Sequence, residues 1–253
     1  MSLFFSDLAP EEWGGQKGYG IKICTSTMDL AWDLFSQGRF PEYAFVRAES
    51  QTHGRGQFGR EWVSEPGNLY VTLRLPDSAE SLDNLLPLAV ALCVVRALEE
   101  LHVPARIKWP NDIMMDASKM GGILVEKKAG VIMAGIGINI SFAPETSQKE
   151  NFFHIKSGCL KESGVNLEAP RVWNLILKNI RRHMPGMMRA PARVAQDTAA
   201  LLAFKGETVV LEDADENDGP ARILGINEQG RLIIETTKGV RFISQGRIYL
   251  RVV

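Results

Sequence analysis

The sequence predicts a mixed α and β domain followed by a small all-β unit. Strand-like and helix-like segments interleave from Tyr19 to Leu202. Five short strand-like pieces then crowd the stretch after Gly206, and the change of character falls near Phe204. The 253 residues therefore divide into 1–203 and 204–253, one large domain and one small.

The first strand is read at Tyr19–Cys24. Ser26 is placed to cap a helix, with Asp29 at the capping-box position. Leu30, Leu34 and Phe35 recur at helical spacing, and Gly38 is the stop. Ala44–Glu49 reads as a strand, 51–67 as a long Gly- and Arg-rich loop, and Asn68–Leu75 as a strand with partial alternation. Asp83–Val103 is the clearest helix; Leu85, Ala89, Leu92 and Leu98 form its stripe, and Pro87 is tolerated in a first turn. Arg106–Trp109, Gly122–Lys127 and Val131–Ile140 read as strands. Val172, Ile176 and Ile180 mark a helix after Pro170, and Ala192–Leu202 another. The pieces ETVVLED, ARILGINE, RLIIET, VRFIS and RIYLRVV, parted by acidic or Gly-containing turns, suggest a small barrel.

Composition narrows the function. Lys+Arg is 29 against Asp+Glu 30, so no positive excess holds nucleic acid. The three cysteines, Cys24, Cys93 and Cys159, are far apart and read as small buried hydrophobes of a reducing compartment. The N-terminus lacks a basic region of signal type, and the apolar run near Leu85–Val95 is shorter than the ~18 residues of a membrane span. The expectation is a cytoplasmic protein that binds no membrane and no DNA.

Two segments carry candidate chemistry. In 51–62, QTHGRGQFGREW, Gly54, Gly56 and Gly59 spell G-x-G-x-x-G, yet a turn and a strand follow where a dinucleotide site needs a helix. What remains is a flexible loop with backbone amides open to an anion and two arginine forks, Arg55 and Arg60. In 108–126, KWPND is followed by KMGGILVE. Pro110 interrupts the strand, so Asn111 and Asp112 fall at a strand end or turn. Lys119 precedes Gly121 and Gly122, which permit close approach of a ligand. Taken singly, each segment is also readable as a solvated loop or turn. Gly135–Asn139 adds a third glycine-bearing strand ending in a polar residue.

Taken in order, Ser26-Thr27, QTHGRGQFGREW, PGNLY (66–70), KWPND, KMGGILVE and GIGIN (135–139) resemble the biotin protein ligase family, in its form without an N-terminal DNA-binding domain. The resemblance is strong over about residues 20–140 and weaker through the C-terminal unit. It implies an α+β catalytic domain with a mixed sheet and flanking helices, related to class II aminoacyl-tRNA synthetases, and a C-terminal SH3-like barrel. It implies ATP-dependent formation of biotinyl-5'-AMP and transfer of biotin to a lysine of a biotin carboxyl carrier protein, with ATP and Mg²⁺ as cofactors. A homodimer is left open. By resemblance Lys119 bridges the biotin carboxylate and the α-phosphate, Arg55 assists, and Asp112 receives or orients the acceptor ammonium. Ser26, Thr27, Gln51, Arg55, Gly56, Gln57, Lys119 and Gly122 would hold biotin; Arg60, Trp62, Asn111 and Asn139 would hold ATP. No metal ligand is assigned. Lys108 is left as either a phosphate contact or a structural residue.

Two positions depart from the family pattern: Met28 stands where Asn is usual and Gln57 where Arg is frequent. Lipoate or octanoate transfer on the same fold is the rival reading. A biotin-sensing regulator is a third, disfavoured because the stretch ahead of Tyr19 is too short for a winged helix.

Overall fold

The computed structural model describes residues 7–13, 15–144, 155–212 and 219–250. Thirteen strands form two sheets. Eight belong to the first: β1 Ala9–Trp13, β2 Gln16–Cys24, β3 Phe45–Gln51, β4 Leu69–Arg74, β5 Ala105–Lys108, β6 Asp112–Met115, β7 Ser118–Lys128 and β8 Val131–Ile138, in the order β1-β2-β3-β4-β8-β7-β6-β5. All neighbours are antiparallel except β2 and β3, which run parallel. A parallel pair needs a crossover, and α1, Thr27–Ser36, supplies it.

The period-two alternation of the strands sorts their side chains onto two faces. Leu69, Val71 and Leu73 of β4 and Ile132, Ala134, Ile136 and Ile138 of β8 point into the larger core. That core is closed by α2 (Leu86–Glu99), α3 (Ala169–Arg189) and α4 (Pro191–Ala200). On the opposite face α1 packs Leu30, Ala31 and Leu34 against Val46, Ala48, Val131 and Met133. Each fully buried Leu of this kind contributes roughly 1.5–3 kcal/mol. Because one helix cannot cover eight strands, part of the α1 face stays open.

Several expectations are corrected. Strands β1 and β6 escape the sequence reading: β1 is short and acidic, and β6 lies directly behind the KWPND turn. The helix read at Asp83–Val103 is a 3₁₀ stretch, Asp77–Leu85, joined to α2, with Asp83 at φ 44° between turns. Pro87 falls in the first turn of α2 as expected. A single stripe on α2 is too narrow a description, since Ala91, Val94 and Val95 are as buried as Leu92. The whole of Asp77–Glu99 is long and apolar enough to cross a bilayer, but most of its apolar window is buried in the core. Ser26 does cap α1, accepting from the Met28 N–H. Gly38, at φ 69°, ends the helix.

The second sheet contains β9 Thr208–Glu212, β10 Gly219–Ile226, β11 Leu232–Thr236, β12 Gly239–Ile243 and β13 Arg247–Leu250 in the order β12-β11-β10-β9-β13, all antiparallel. All five expected pieces form strands; position 213 and positions 251–253 of the outer two lie outside the described residues, as do residues 1–6 of the N-terminal stretch. Between the sheets, residues 201–203 strap onto β5, through Ile107 N–H to Leu201 O and Ala203 N–H to Ile107 O. This covers an otherwise bare sheet edge.

Buried residues of the second sheet, such as Val209, Ile223 and Ile248, join the larger core, and one turn adds a polar tie. Trp109 is 2% exposed, and its indole N–H donates to the Gly230 carbonyl at 2.9 Å. Gly230 has φ +76°, and a Cβ there would come within 3.1 Å of Leu85 and 3.3 Å of the Asn84 carbonyl. An L side chain in the left-handed region costs ~1 kcal/mol or more. Gly230→Ala is therefore expected to lower the thermal midpoint by at least ~2–4 °C; an unchanged midpoint in calorimetry would show that the seat is loose.

Candidate active site

A row of paired residues crosses the open face of the first sheet. Register places Lys108 opposite Asp112, Asp112 opposite Gly122, Gly122 opposite Gly137, and Gly137 opposite Tyr70. Two glycines in mid-row remove side chains from the sheet surface, and a cavity of about 280 Å³ opens there. Its far wall is the N-terminus of α1 and the loop 51–64. The indole of Trp62 lies across the glycine pair. A Cβ on Gly137 would sit 2.7 Å from that ring, and one on Gly122 3.2 Å from it.

The loop is folded here as a small hairpin, which occupies the amides of Gly56, Arg60 and Trp62. Trp62 N–H donates to Gly54 O at 2.8 Å and Gly56 N–H to Arg60 O at 2.8 Å. The tip, Gln57–Gly59, is a single 3₁₀ turn, with Phe58 at φ 58°. Gly54 has no room for a side chain, because its Cβ would lie 2.4 Å from the Trp62 carbonyl. No α-helix starts at the glycine triplet, in agreement with the rejection of a dinucleotide fingerprint.

One end of the cavity is neutral and polar. Gln51 Oε1 accepts from the Thr27 N–H at 2.8 Å and from its hydroxyl at 3.1 Å. Gln51 Nε2 donates to Ser64 Oγ, and the Thr72 hydroxyl donates to Thr27 Oγ1. Ser26, Thr27 and Gln51 are thus brought together with Thr72, which the sequence reading missed. Its signal was the alternation in Asn68–Leu75, where Tyr70 and Thr72 are the members facing away from the core. Met28 fills the space over Gly135, where an added Cβ would meet its terminal methyl at 3.2 Å.

The other end is charged. Asp112 is buried, with Lys108 Nζ 2.6 Å from Oδ2 and Lys119 Nζ 2.6 Å from Oδ1. Burial alone would push this carboxyl up; the charges and hydrogen bonds of the two lysines outweigh it and hold the group down at about 2. The carboxylate thus stays ionised at neutral pH, and its pairing is lost only as pH falls from the ordinary carboxylate range toward about 2. While both lysines hold it, such a group is a weak proton acceptor, and an ionised carboxylate suits the other half of the expectation, that Asp112 orients the acceptor ammonium. The Lys119 ammonium also faces the Trp62 ring, 5.2 Å from its centre.

Arg55 lines the cavity, but both terminal nitrogens of its guanidinium are engaged. They meet the two Asp29 oxygens at 2.8 and 2.7 Å, and one reaches Glu126 at 3.3 Å. The capping box is therefore half realised: Asp29 serves the loop arginine and not the helix end. Arg60 lines the cavity with its guanidinium 6.0 Å from the Phe58 ring centre. Asn111 lines it too, and its side chain donates to the Ile123 carbonyl at 2.7 Å, tying the turn to β7. Gly56, Gln57 and Gly122 are wall residues.

Asn139 is the exception. It is absent from the cavity wall; its Nδ2 donates to Gly158 O, and its buried Oδ1 has no hydrogen-bond partner. Among the described residues no group of three His, Cys, Asp or Glu could hold a metal. The three cysteines are buried, and burial pushes Cys24 and Cys93 up to about 12, which makes neither a nucleophile.

The arrangement offers a neutral hydrogen-bonding end, an aromatic floor and a cationic end, fitting a ligand that is polar, apolar and anionic along its length. Residues 19–142 match the model of the Biotin/lipoate A/B protein ligase family. The biotin--[acetyl-CoA-carboxylase] ligase of Paracoccus denitrificans is 37% identical over 219 residues, covering 81% of this chain and 90% of that protein. The bifunctional ligase/repressor BirA of Bacillus subtilis is 29% identical over 242 residues, 90% of this chain and 72% of that one. A solved structure of biotin protein ligase from Aquifex aeolicus in complex with biotin and ATP superposes with a TM-score of 0.80 at 26% identity, covering 93% of this chain and 99% of that one.

Gly137→Ala is expected to push the Trp62 ring off the glycine floor. Hydroxyl-radical labelling of Trp62 should rise against the buried Trp109 and Trp173, and unchanged labelling would mean that the ring keeps its place.

Proposed function

We propose, because this chain belongs to the biotin/lipoate A/B protein ligase family on its biotin protein ligase side, that it activates biotin with ATP to biotinyl-5'-AMP and passes the biotinyl group to a carrier lysine. The observation that carries the reading is the cavity with a cationic end and a neutral polar end. Biotin has a carboxylate at one end and a ureido ring at the other. The ring's N–H and C=O groups need matched partners in a buried site, and Thr27, Gln51 and Thr72 with Ser26 provide them. Lipoate's dithiolane ring offers no such groups, which favours biotin over the rival acid.

In the first step a biotin carboxylate oxygen attacks the α-phosphorus and pyrophosphate leaves. Two unit charges about 4 Å apart interact by roughly 4 kcal/mol at an effective dielectric of 20, so like charges must be screened at the reacting centre. Lys119, the more exposed of the two lysines on Asp112, is the cation assigned to it. Arg60 and Asn111 lie on the same wall for the nucleotide, and Trp62 supplies the aromatic floor. In the second step the carrier amine attacks the carbonyl carbon, AMP leaves, and the amine's proton passes to solvent. Arg55 is assigned to hold the loop on α1 through Asp29, and it reaches a ligand only by giving up that fork.

ATP brings its own metal requirement. Mg²⁺ binds chiefly through phosphates and waters, so the absence of a carboxylate cluster among the described residues is compatible with it. When bound, Mg²⁺ neutralises phosphate charge. The carrier domain of a carboxylase, a cytoplasmic location and the absence of a DNA partner complete the proposal.

Pyrophosphate exchange into ATP is expected with biotin and Mg²⁺ and not with lipoate or octanoate; exchange with those acids alone removes the biotin assignment. Lys119→Ala should lower adenylate formation by ~10²–10³, the usual loss for one preorganised charge-stabilising group, with circular dichroism unchanged. Gln57 at the hairpin tip offers a neutral amide where an Arg would offer charge. A charged hydrogen bond is stronger by about 1 kcal/mol, so Gln57→Arg is expected to slow biotinyl-5'-AMP release several-fold in rapid mixing; an equal or faster rate shows that the tip is not a latch.

A further inference from the structure

Two lysines end on one buried carboxylate, and they are not equivalent. Lys108 lies on β5 directly opposite Asp112, and its side chain is 13% exposed. Lys119 comes from β7, is 32% exposed, and faces Trp62 across the cavity. Lys119 is thus the one placed to meet a ligand, and Lys108 the one placed to stay.

The number of cations matters because Asp112 is buried. A buried carboxylate served by a single ammonium forms a closed pair of zero net charge. Drawing that ammonium toward another anion strands the carboxylate, which is strongly unfavourable. A second ammonium changes this. With Lys108 on Oδ2, the charge of Asp112 is already matched, and the cluster carries a net charge of +1 from two lysines and one aspartate. Lys119 can then leave Oδ1 without stranding anything.

We infer that Lys108 is a positioning residue whose charge neutralises Asp112 and so releases Lys119 from the carboxylate to the biotin carboxylate and the α-phosphate. This rests on the ligase reading above. It lines the cavity beside Asp112, and it acts through Asp112 on Lys119. The rival account is that Lys108 only pins the β5–β6 hairpin. The two differ in what a second substitution at Asp112 does. If Lys108 only pins the hairpin, losing Asp112 as well adds damage. If Lys108 compensates a charge, removing that charge restores Lys119.

The test is biotin-dependent pyrophosphate exchange, with kcat and KM for biotin and ATP, on the wild type, K108M, K108R, D112N and K108M/D112N, each checked for folding by circular dichroism. K108M is expected to lower kcat at least about tenfold, and K108R to stay within about threefold of the wild type. K108M/D112N is expected to recover at least about tenfold over K108M, a non-additivity that only coupled groups show. A double variant no better than K108M, or a K108M variant as active as the wild type, overturns the inference. Should K108M not fold, K108Q takes its place, because it keeps a hydrogen bond to Asp112 without the charge. Loss in K108Q with recovery in K108Q/D112N supports the inference, and wild-type activity in K108Q overturns it. Failure of the ligase reading is seen separately, as a wild-type protein that gives no exchange with biotin.

Discussion

The Asp112 carboxylate organises the site. Taking such a charge out of water costs several kcal/mol unless partners repay it, and here repayment comes from lysines on two different strands. That requirement fixes the relation of β5, β6 and β7 at the row where the cavity opens. It also sets the sign of the field at one end of the cavity, since two cations against one anion leave a positive remainder. An anionic ligand is thereby drawn to the end where Lys119 stands. While both lysines hold it, Asp112 stays ionised at neutral pH, and the carboxylate sets where the two ammonium groups stand.

The cavity exists because the row beyond Asp112 is glycine. With Gly122 and Gly137 side by side, the sheet has no side chains where every neighbouring strand has them, and one helix, α1, cannot cover the gap. Trp62 enters that gap from the loop hairpin, and the neck of the hairpin is held by Gly54 and by Gln51 on Thr27. Arg55 fastens the outer side of the same hairpin to Asp29 and Glu126. The loop is therefore tied to α1 and to β7, and what it covers is decided by those ties. Asp29 shows the cost of the arrangement: it gives up its place in a capping box to serve the arginine.

The C-terminal sheet adds little to the cavity wall beyond Gly246 and Ile248, yet it is locked to the residues that matter. Trp109, between Lys108 and Pro110, donates to Gly230 at the tip of the β10–β11 turn. A shift of that turn is felt one residue away from the lysine on Asp112. This places the small sheet beside the cationic end and away from the polar end near Thr27.

The sequence by itself determined most of the element list and the chemistry of the site. Strand-like pieces parted by acidic or Gly-containing turns marked the C-terminal sheet, Ser26 and Gly38 marked the ends of α1, and the candidate site residues all line one cavity except Asn139. These are legible because capping, turn and alternation signals act over a few residues. The remaining decisions belong to the tertiary structure. That Arg55 is spent on Asp29 and that Trp62 lies on Gly137 are contacts between residues tens of positions apart, and the double pairing of Asp112 needs three neighbouring strands to be brought into register. Strand β6 and the buried far side of α2 were hidden for the same reason, since a residue surrounded on all sides leaves no periodic trace. Local sequence fixes which groups are available; only the packed sheet decides which charges meet, and so which of them remain free to act.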